Sequence, residues 1–226
     1  MKKTLLLFPI LFLIYWGCEN YQDTTPTDVI LWGEVYSIEN TTELDLGHNG
    51  LTGAIPSEIG NLTNLTKLIL EGNQLSGSIP PEIWNMTNLT YLDLSGNNND
   101  LSNGLSGSIP LEIWNMTNLI SLNLSDNQLT GYIYSEIGNL KNLTELRLDY
   151  NQLTGSIPSE IVNLTNLEWL TLNNNQVTVT IRNKFCNFDI NWSSSTYFRI
   201  FNNQLCPPYP SCIEDYVGTQ DTSDCP

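Results

Sequence analysis

Leucines alternate with polar residues in short runs that return along most of the chain. In a run such as Leu44-Asp45-Leu46 every second side chain is apolar, which is the period of a β-strand with one buried face. Each run leads to an asparagine, and the asparagines are Asn49, Asn73, Asn97, Asn127, Asn151 and Asn175, spaced by 24, 24, 30, 24 and 24 residues. The longer spacing indicates a six-residue insertion near 99–104, which we interpret as a surface loop. A weaker seventh copy covers 198–205.

A constant period predicts stacked coils. One coil cannot bury its own leucines, but a stack can, because the inward leucines of each repeat then lie on those of the next. We therefore expect one column of core leucines, formed by Leu44, Leu68, Leu92, Leu122, Leu146 and Leu170. The strands that carry them form a parallel sheet with a spacing of about 4.8 Å.

The residues after each asparagine are also alike. They read Leu-x-Gly-x-Ile-Pro at 51–56, 75–80, 105–110 and 153–158. This element resembles the plant-type subclass of the leucine-rich repeat family, found in receptor ectodomains and polygalacturonase inhibitors. The resemblance covers about residues 40–205. It implies an α/β-type solenoid, a curved leucine-rich-repeat stack with a parallel concave β-sheet and an irregular or 3-10 convex side. The lipoprotein-like signal described below favours a bacterial surface or secreted member of the family.

The repeated polar and turn residues are interpreted as scaffold. A buried asparagine amide can satisfy backbone groups left unpaired where each coil turns, so the asparagines predict a ladder. Glycine permits unusual torsion angles and proline fixes the turn in the Gly-x-Ile-Pro element. Two coils depart from that element, reading Gly-Tyr-Ile-Tyr at 131–134 and Val-Thr-Ile-Arg at 179–182.

The N-terminal segment is typical of an export signal. Two lysines precede an apolar run that ends near Trp16, which predicts a signal peptide over 1–17. Gly17-Cys18 resembles the site where bacterial lipoproteins are acylated, so Cys18 is a candidate for lipidation; the alternative is that Cys18 is secreted unmodified or paired. Residues 18–39 are expected to form a linker and N-terminal cap, and 206–226 a C-terminal cap or tail.

The other four cysteines suit disulfides in an oxidising compartment. Three pairings are possible for such a set. The proline-rich loop between Cys206 and Cys212 favours a bond between these two, which leaves Cys186 to pair with Cys225.

The charge argues against nucleic acid as a partner. The formal net charge is −16, and without Lys2 and Lys3 the chain has 6 basic and 24 acidic residues, hence −18. The basic residues are scattered instead of clustered, as phosphate binding would need. We interpret the acidity as favouring solubility.

The sequence contains little that could support catalysis. His48 is the single histidine and falls in a loop after the first strand, so a histidine-based triad or a multi-histidine metal site has little to build with. No phosphate-binding or calcium-loop motif is present. We expect no enzyme activity, no metal and no cofactor.

Function is therefore expected in the side chains that point outward from the concave strands. Aromatic residues and arginines, which are enriched at binding hot spots, gather late in these columns. The candidate ligand-binding residues are Arg147, Tyr150, Trp169, Tyr197, Arg199 and Phe201. The alternative for the last aromatic residues is packing under the C-terminal cap.

Three functions fit this pattern. The first is a non-catalytic extracellular recognition or adhesion module that binds a protein or glycan on the concave face, with membrane contact only through the signal peptide or a lipid anchor. The second is an inhibitor of a secreted polysaccharide-degrading enzyme. The third is a passive structural surface protein.

Overall fold

The computed structural model describes residues 27–97, 104–178, 185–186 and 197–225. The predicted signal peptide, Cys18, most of the insertion and 179–182 lie outside these residues. The strands are β1 (Asp28–Leu31), β2 (Glu34–Ser37), β3 (Glu43–Asp45), β4 (Thr52–Gly53), β5 (Lys67–Ile69), β6 (Gln74–Leu75), β7 (Gly77–Ser78), β8 (Tyr91–Asp93), β9 (Leu105–Ser108), β10 (Ser121–Asn123), β11 (Gln128–Thr130), β12 (Glu145–Arg147), β13 (Thr154–Ser156), β14 (Trp169–Thr171), β15 (Gln176–Thr178) and β16 (Phe198–Arg199). The 3-10 helices are η1 (Ser57–Asn61), η2 (Pro81–Asn85), η3 (Leu111–Asn115), η4 (Ser135–Asn139) and η5 (Ser159–Asn163).

One strand of each coil enters a seven-stranded parallel sheet, in the order β16-β14-β12-β10-β8-β5-β3. The expected core leucines pair across this sheet in register, from Leu44 to Leu170. All six are at most 4% exposed. The register also holds between β8 and β10, on either side of the insertion. The predicted solenoid is confirmed.

The other side of each coil is built by the Gly-x-Ile-Pro element. Its strands form short sheets, β4-β6, β7-β9-β11 and β13-β15, which we call the short sheets. The isoleucine is buried in coils such as that of Ile109, and the proline is the N-cap of the following 3-10 helix. The glycines have positive φ, for example 88° at Gly107, a conformation that disfavours a side chain.

The asparagines form the predicted ladder. In each inner rung the side-chain oxygen accepts from a backbone N–H of the preceding coil, and the amide nitrogen donates to carbonyls of both coils. The rungs are Asn73, Asn97, Asn127, Asn151, Asn175 and Asn203, all 9% exposed or less. The first asparagine, Asn49, is exposed because no coil precedes it.

A second asparagine ladder was not predicted. The asparagine of each Leu-x-Asn-Leu or Met-x-Asn-Leu phrase donates to a backbone carbonyl of the preceding coil at 2.8–3.0 Å. Its members are Asn64, Asn88, Asn118, Asn142 and Asn166, which are exposed. They repeat with the same period as the leucines, so the period was the signal that could have revealed them.

The C-terminal tail closes the last coil with a rung of its own. Asn202 and Asn203 hydrogen-bond to the backbone of Thr219 and Asp221. Gln220 then takes the place of a ladder asparagine: its side-chain oxygen accepts from the Leu205 N–H at 3.2 Å, and its nitrogen donates to two carbonyls. This tail covers an otherwise open edge of the core.

The predicted disulfide pairing is wrong. The bonds join Cys186 to Cys212 and Cys206 to Cys225. The C-terminal tail pairs with the last coil and so brings Cys225 next to Cys206. Cys212 is closer to Cys206 in sequence, but Cys225 is its partner in space. The prediction that four cysteines form two disulfides holds.

Candidate functional site

In the middle of the seven-stranded sheet, the outward polar side chains hydrogen-bond to one another. Asp93 accepts from the Ser95 hydroxyl at 2.6 Å and from the Asn123 amide at 3.0 Å, and Asn123 accepts in turn from Ser125. All four are between 6% and 9% exposed. These outward positions were expected to be available to a ligand, but their hydrogen bonds are made within the protein.

Nearer the C-terminal coils, strand β12 carries an ion pair. Glu145 and Arg147 are two residues apart in β12, so both side chains leave the same face of the sheet. The Arg147 Nε lies 2.6 Å from a Glu145 carboxylate oxygen, and the Ser121 hydroxyl donates to the other oxygen at 2.9 Å. The Arg147 side chain is 31% exposed. Glu145 and Ser121 were not among the predicted site residues, although strand alternation places them beside Arg147.

The ion pair continues into two aromatic rings. The guanidinium carbon of Arg147 lies 3.8 Å from the centre of the Trp169 ring, which is a close cation–π contact. The Trp169 and Tyr197 rings meet edge to face, with centres 5.1 Å apart. Tyr197 is 44% exposed. We call these three residues, Arg147, Trp169 and Tyr197, the arginine–aromatic cluster.

Phe201 lies against the C-terminal tail. A Cβ atom built on Gly218 of the C-terminal tail would come within 2.6 Å of the Phe201 Cβ. Phe201 therefore packs against the cap, as the alternative interpretation expected of the last aromatic residues.

The remaining two candidates flank the cluster. Arg199 pairs with Thr171 at the edge strand β16 and is partly buried. Tyr150 occupies the turn after β12 with φ of 53° and is 48% exposed. It contributes an exposed ring at the rim of the sheet.

Buried side-chain polar atoms in and beside the cluster lack a hydrogen-bond partner. Asn173 is 0% exposed, and neither its amide nitrogen nor its oxygen forms a hydrogen bond. The Trp169 indole nitrogen is likewise buried without an acceptor. Beside them the Thr171 hydroxyl donates to Asp149. Unpaired groups of this kind are rare in protein interiors, and the sequence offered no signal for them.

Two carboxylates, those of Asp126 and Asp149, interact near Tyr150 at the rim of the seven-stranded sheet. Burial raises the pKa of Asp126, and the negative charge of Asp149 raises it further. Asp126 stands in the same left-handed turn position as Tyr150 one coil later, with φ of 53°.

A groove runs along the edge where β10, β12 and β14 begin. Its volume is about 490 Å³, and its lining includes Ile120, Thr144 and Glu168, which directly precede the three strands. Ile120 is 45% exposed. The groove therefore adjoins the strands that carry Arg147 and Trp169.

Within the part of the chain that the structure describes, no group of three or more His, Cys, Asp or Glu residues is placed to hold a metal ion. In the same ranges, every helix is too short or too polar to span a membrane.

The protein-family model that describes a leucine-rich repeat region matches residues 43–213 of the sequence. The Arabidopsis receptor kinase HAESA, solved with the peptide hormone IDA and the co-receptor SERK1, is 32% identical with a TM-score of 0.69; the match covers 81% of this chain and 30% of that one. No curated relative matches the sequence.

Two further structures extend the comparison. The ectodomain of the Arabidopsis thaliana receptor kinase GASSHO1/SCHENGEN3, in complex with CASPARIAN STRIP INTEGRITY FACTOR 2, is 31% identical with a TM-score of 0.61, over 74% of this chain and 22% of that one. A leucine-rich repeat protein of Leptospira interrogans is 30% identical with a TM-score of 0.56, over 80% of this chain and 41% of that one. The chain thus spans less than half the length of each of these proteins.

Proposed function

Because the chain belongs to the leucine-rich repeat family, we propose that it is a non-catalytic recognition module that binds a protein ligand, in extended form, across β12, β14 and β16. The observation that carries the proposal is the arginine–aromatic cluster. Exposed aromatic residues and arginine are the side chains that most often dominate binding energy.

The cluster is held in place before any ligand arrives. Glu145 and Ser121 hold one end of it, and the Trp169 ring is packed between Arg147 and Tyr197. Side chains that are already ordered lose little conformational entropy on binding. The similar receptor kinase HAESA was solved with a peptide hormone, which supports a peptide-like ligand for this sheet as well.

We further propose that the protein is exported and attached to a surface through lipid on Cys18. Two disulfides support an oxidising compartment. Mass spectrometry of the mature N-terminus tests the anchor: an acylated Cys18 is expected, and an unmodified Cys18 or cleavage elsewhere would contradict it.

The binding proposal is tested with peptides selected from a random library on the wild-type protein. Affinities of the selected peptides are then measured by calorimetry for Trp169→Ala and for Arg147→Ala. Loss of a hot-spot residue costs about 2 kcal/mol or more, so affinity should fall about 30-fold.

A matched control lies on the same face. Tyr91 stands in the same column as Trp169, and the Lys67 ammonium lies 5.7 Å from the centre of its ring. Tyr91→Ala should leave affinity within about threefold, as is usual outside hot spots. Equal losses for Tyr91→Ala and Trp169→Ala, or none for either, would refute the proposed site.

A further inference from the structure

The coil at 131–134 carries two tyrosines that the repeat does not require. In the four coils that read Leu-x-Gly-x-Ile-Pro, the position of Tyr132 is held by a small residue and that of Tyr134 by proline. The small residues are Ala54, Ser78, Ser108 and Ser156, and the prolines are Pro56, Pro80, Pro110 and Pro158. Between the tyrosines, Ile133 alone faces the core, with 4% exposure. The tyrosines therefore add nothing to the buried stack.

Both rings are presented to solvent. Tyr132 is 54% exposed and Tyr134 is 38% exposed. Their centres are 6.2 Å apart and their planes are at 83°, which is an edge-to-face pair. Exposed apolar area of this kind, on a coil that could be built with serine and proline, indicates a binding surface.

The Tyr132 ring is fixed against the next coil. A Cβ atom built on Gly155 would come within 2.6 Å of the Tyr132 Cδ1, so the ring lies directly over this glycine. Tyr132 also forms a backbone bridge with Thr154. The ring is thus ordered by the backbone beneath it and loses little entropy when a ligand covers it.

The strands of the short sheets around the pair are rich in hydroxyl groups and carry no charge, and the nearest charge along the chain is the acidic Glu136 in the first turn of η4. Thr130 and Ser108 lie in the adjacent strands β11 and β9, and Ser156 lies in β13 of the following coil. Every described strand of the short sheets lacks Asp, Glu, Lys, Arg and His. Hydroxyl groups can both donate and accept hydrogen bonds.

We propose that Tyr132 and Tyr134 form a second binding site, distinct from the arginine–aromatic cluster, for a neutral saccharide chain. A sugar ring offers an apolar C–H face that stacks on an aromatic ring and hydroxyls that bond to serine and threonine. Protein-binding surfaces are instead depleted in serine and enriched in arginine. The strongly acidic chain, with a net charge of −16, disfavours anionic saccharides.

The test restores the sequence of the other coils in the variant Tyr132→Ser/Tyr134→Pro. Tyr134 has φ of −80°, which proline can adopt, and the neighbouring prolines have the same N-cap role. The variant should therefore fold with unchanged circular dichroism and an equal or higher Tm. Serine and proline at these two positions are native to this repeat.

Cellohexaose, xylohexaose, mannohexaose and chitohexaose are titrated separately into the wild-type protein and the variant, with binding followed by calorimetry. At least one oligosaccharide should bind the wild-type protein. The folded variant should bind it about tenfold or more weakly, because both aromatic rings that contact the saccharide are lost.

Tyr216 provides a matched control, because it is 42% exposed but lies in the C-terminal cap. Tyr216→Ser should bind the same oligosaccharide as tightly as the wild-type protein. The proposal is overturned if none of the four oligosaccharides binds, or if the folded double variant keeps full affinity. It is also overturned if Tyr216→Ser weakens binding as much as the double variant. None of these outcomes bears on peptide binding by the arginine–aromatic cluster.

Discussion

Replacing a single ladder asparagine by alanine should destabilise the whole stack. Asn151 is 9% exposed, and its side-chain oxygen accepts from the Leu129 N–H at 2.9 Å. Its amide nitrogen donates to the carbonyls of Leu124, Leu148 and Asp149 at 2.9, 3.2 and 3.2 Å. Asn151→Ala removes all four contacts at once.

The four contacts do not count equally. Each of the three carbonyls keeps a second donor: Asn127 for Leu124, Asn175 for Leu148, and the Asp126 N–H for Asp149. The Leu129 N–H is left without the acceptor that Asn151 supplies. One buried N–H without a partner costs about 1–3 kcal/mol, and with the weakened carbonyl bonds the total comes to about 2–4 kcal/mol.

Urea denaturation, followed by both circular dichroism and tryptophan fluorescence, measures this loss. With an m-value of about 2 kcal/mol/M, the midpoint of Asn151→Ala should fall by about 1–2 M. Asn151→Asp should lose more than the alanine variant, because it keeps the acceptor but turns a carboxylate toward three carbonyls.

The chain contains its own control for the same repeat position. Asn49 is exposed, and its amide nitrogen donates to a single carbonyl, that of Gly47, at 2.9 Å. Asn49→Ala should therefore cost about 0.5 kcal/mol or less. If Asn49→Ala and Asn151→Ala lowered the midpoint equally, the ladder could not be the source of the stability, and the reasoning above would be refuted.

Three other predictions concern charge and the C-terminal closure. Burial and Asp149 raise the pKa of Asp126, so the folded chain holds that proton more tightly and loses stability as pH rises from 3.8 through the raised value. Asp126→Asn should raise Tm at neutral pH by about 1–2 °C, with no gain below pH 3.8 in thermal scans; a gain that persists there would contradict this. Gln220→Ala leaves the Leu205 N–H without its side-chain acceptor and should cost about 1–2 kcal/mol in urea, whereas Gln152→Ala on the exposed surface should cost about 0.5 kcal/mol or less. A non-reduced proteolytic digest should contain the two cross-linked cysteine peptides described above, and a peptide linking Cys206 to Cys212 would show that the tail follows another path.

The period of the leucines was enough to predict the backbone, because each coil can bury its apolar side only on an identical neighbour. The same logic assigned the ladder asparagines, since a residue that returns in phase with the core must meet its own copy in the next coil. Arg147 and Trp169 could also be placed in adjacent columns from the repeat alone. Their contact at 3.8 Å confirms that placement.

The sequence by itself determined the repeat, the inward leucines, the turn glycines and the outward columns, because these depend on spacing along the chain. Only the tertiary structure decided which outward side chains stay accessible. Asp93 and Asn123 are hydrogen-bonded to each other, whereas Tyr132 and Tyr197 remain exposed. It also decided the disulfide pairing, through a tail that crosses the last coil and places Gln220 as its final rung. Side-chain burial and the path of the tail depend on contacts between coils, and those contacts follow no single period.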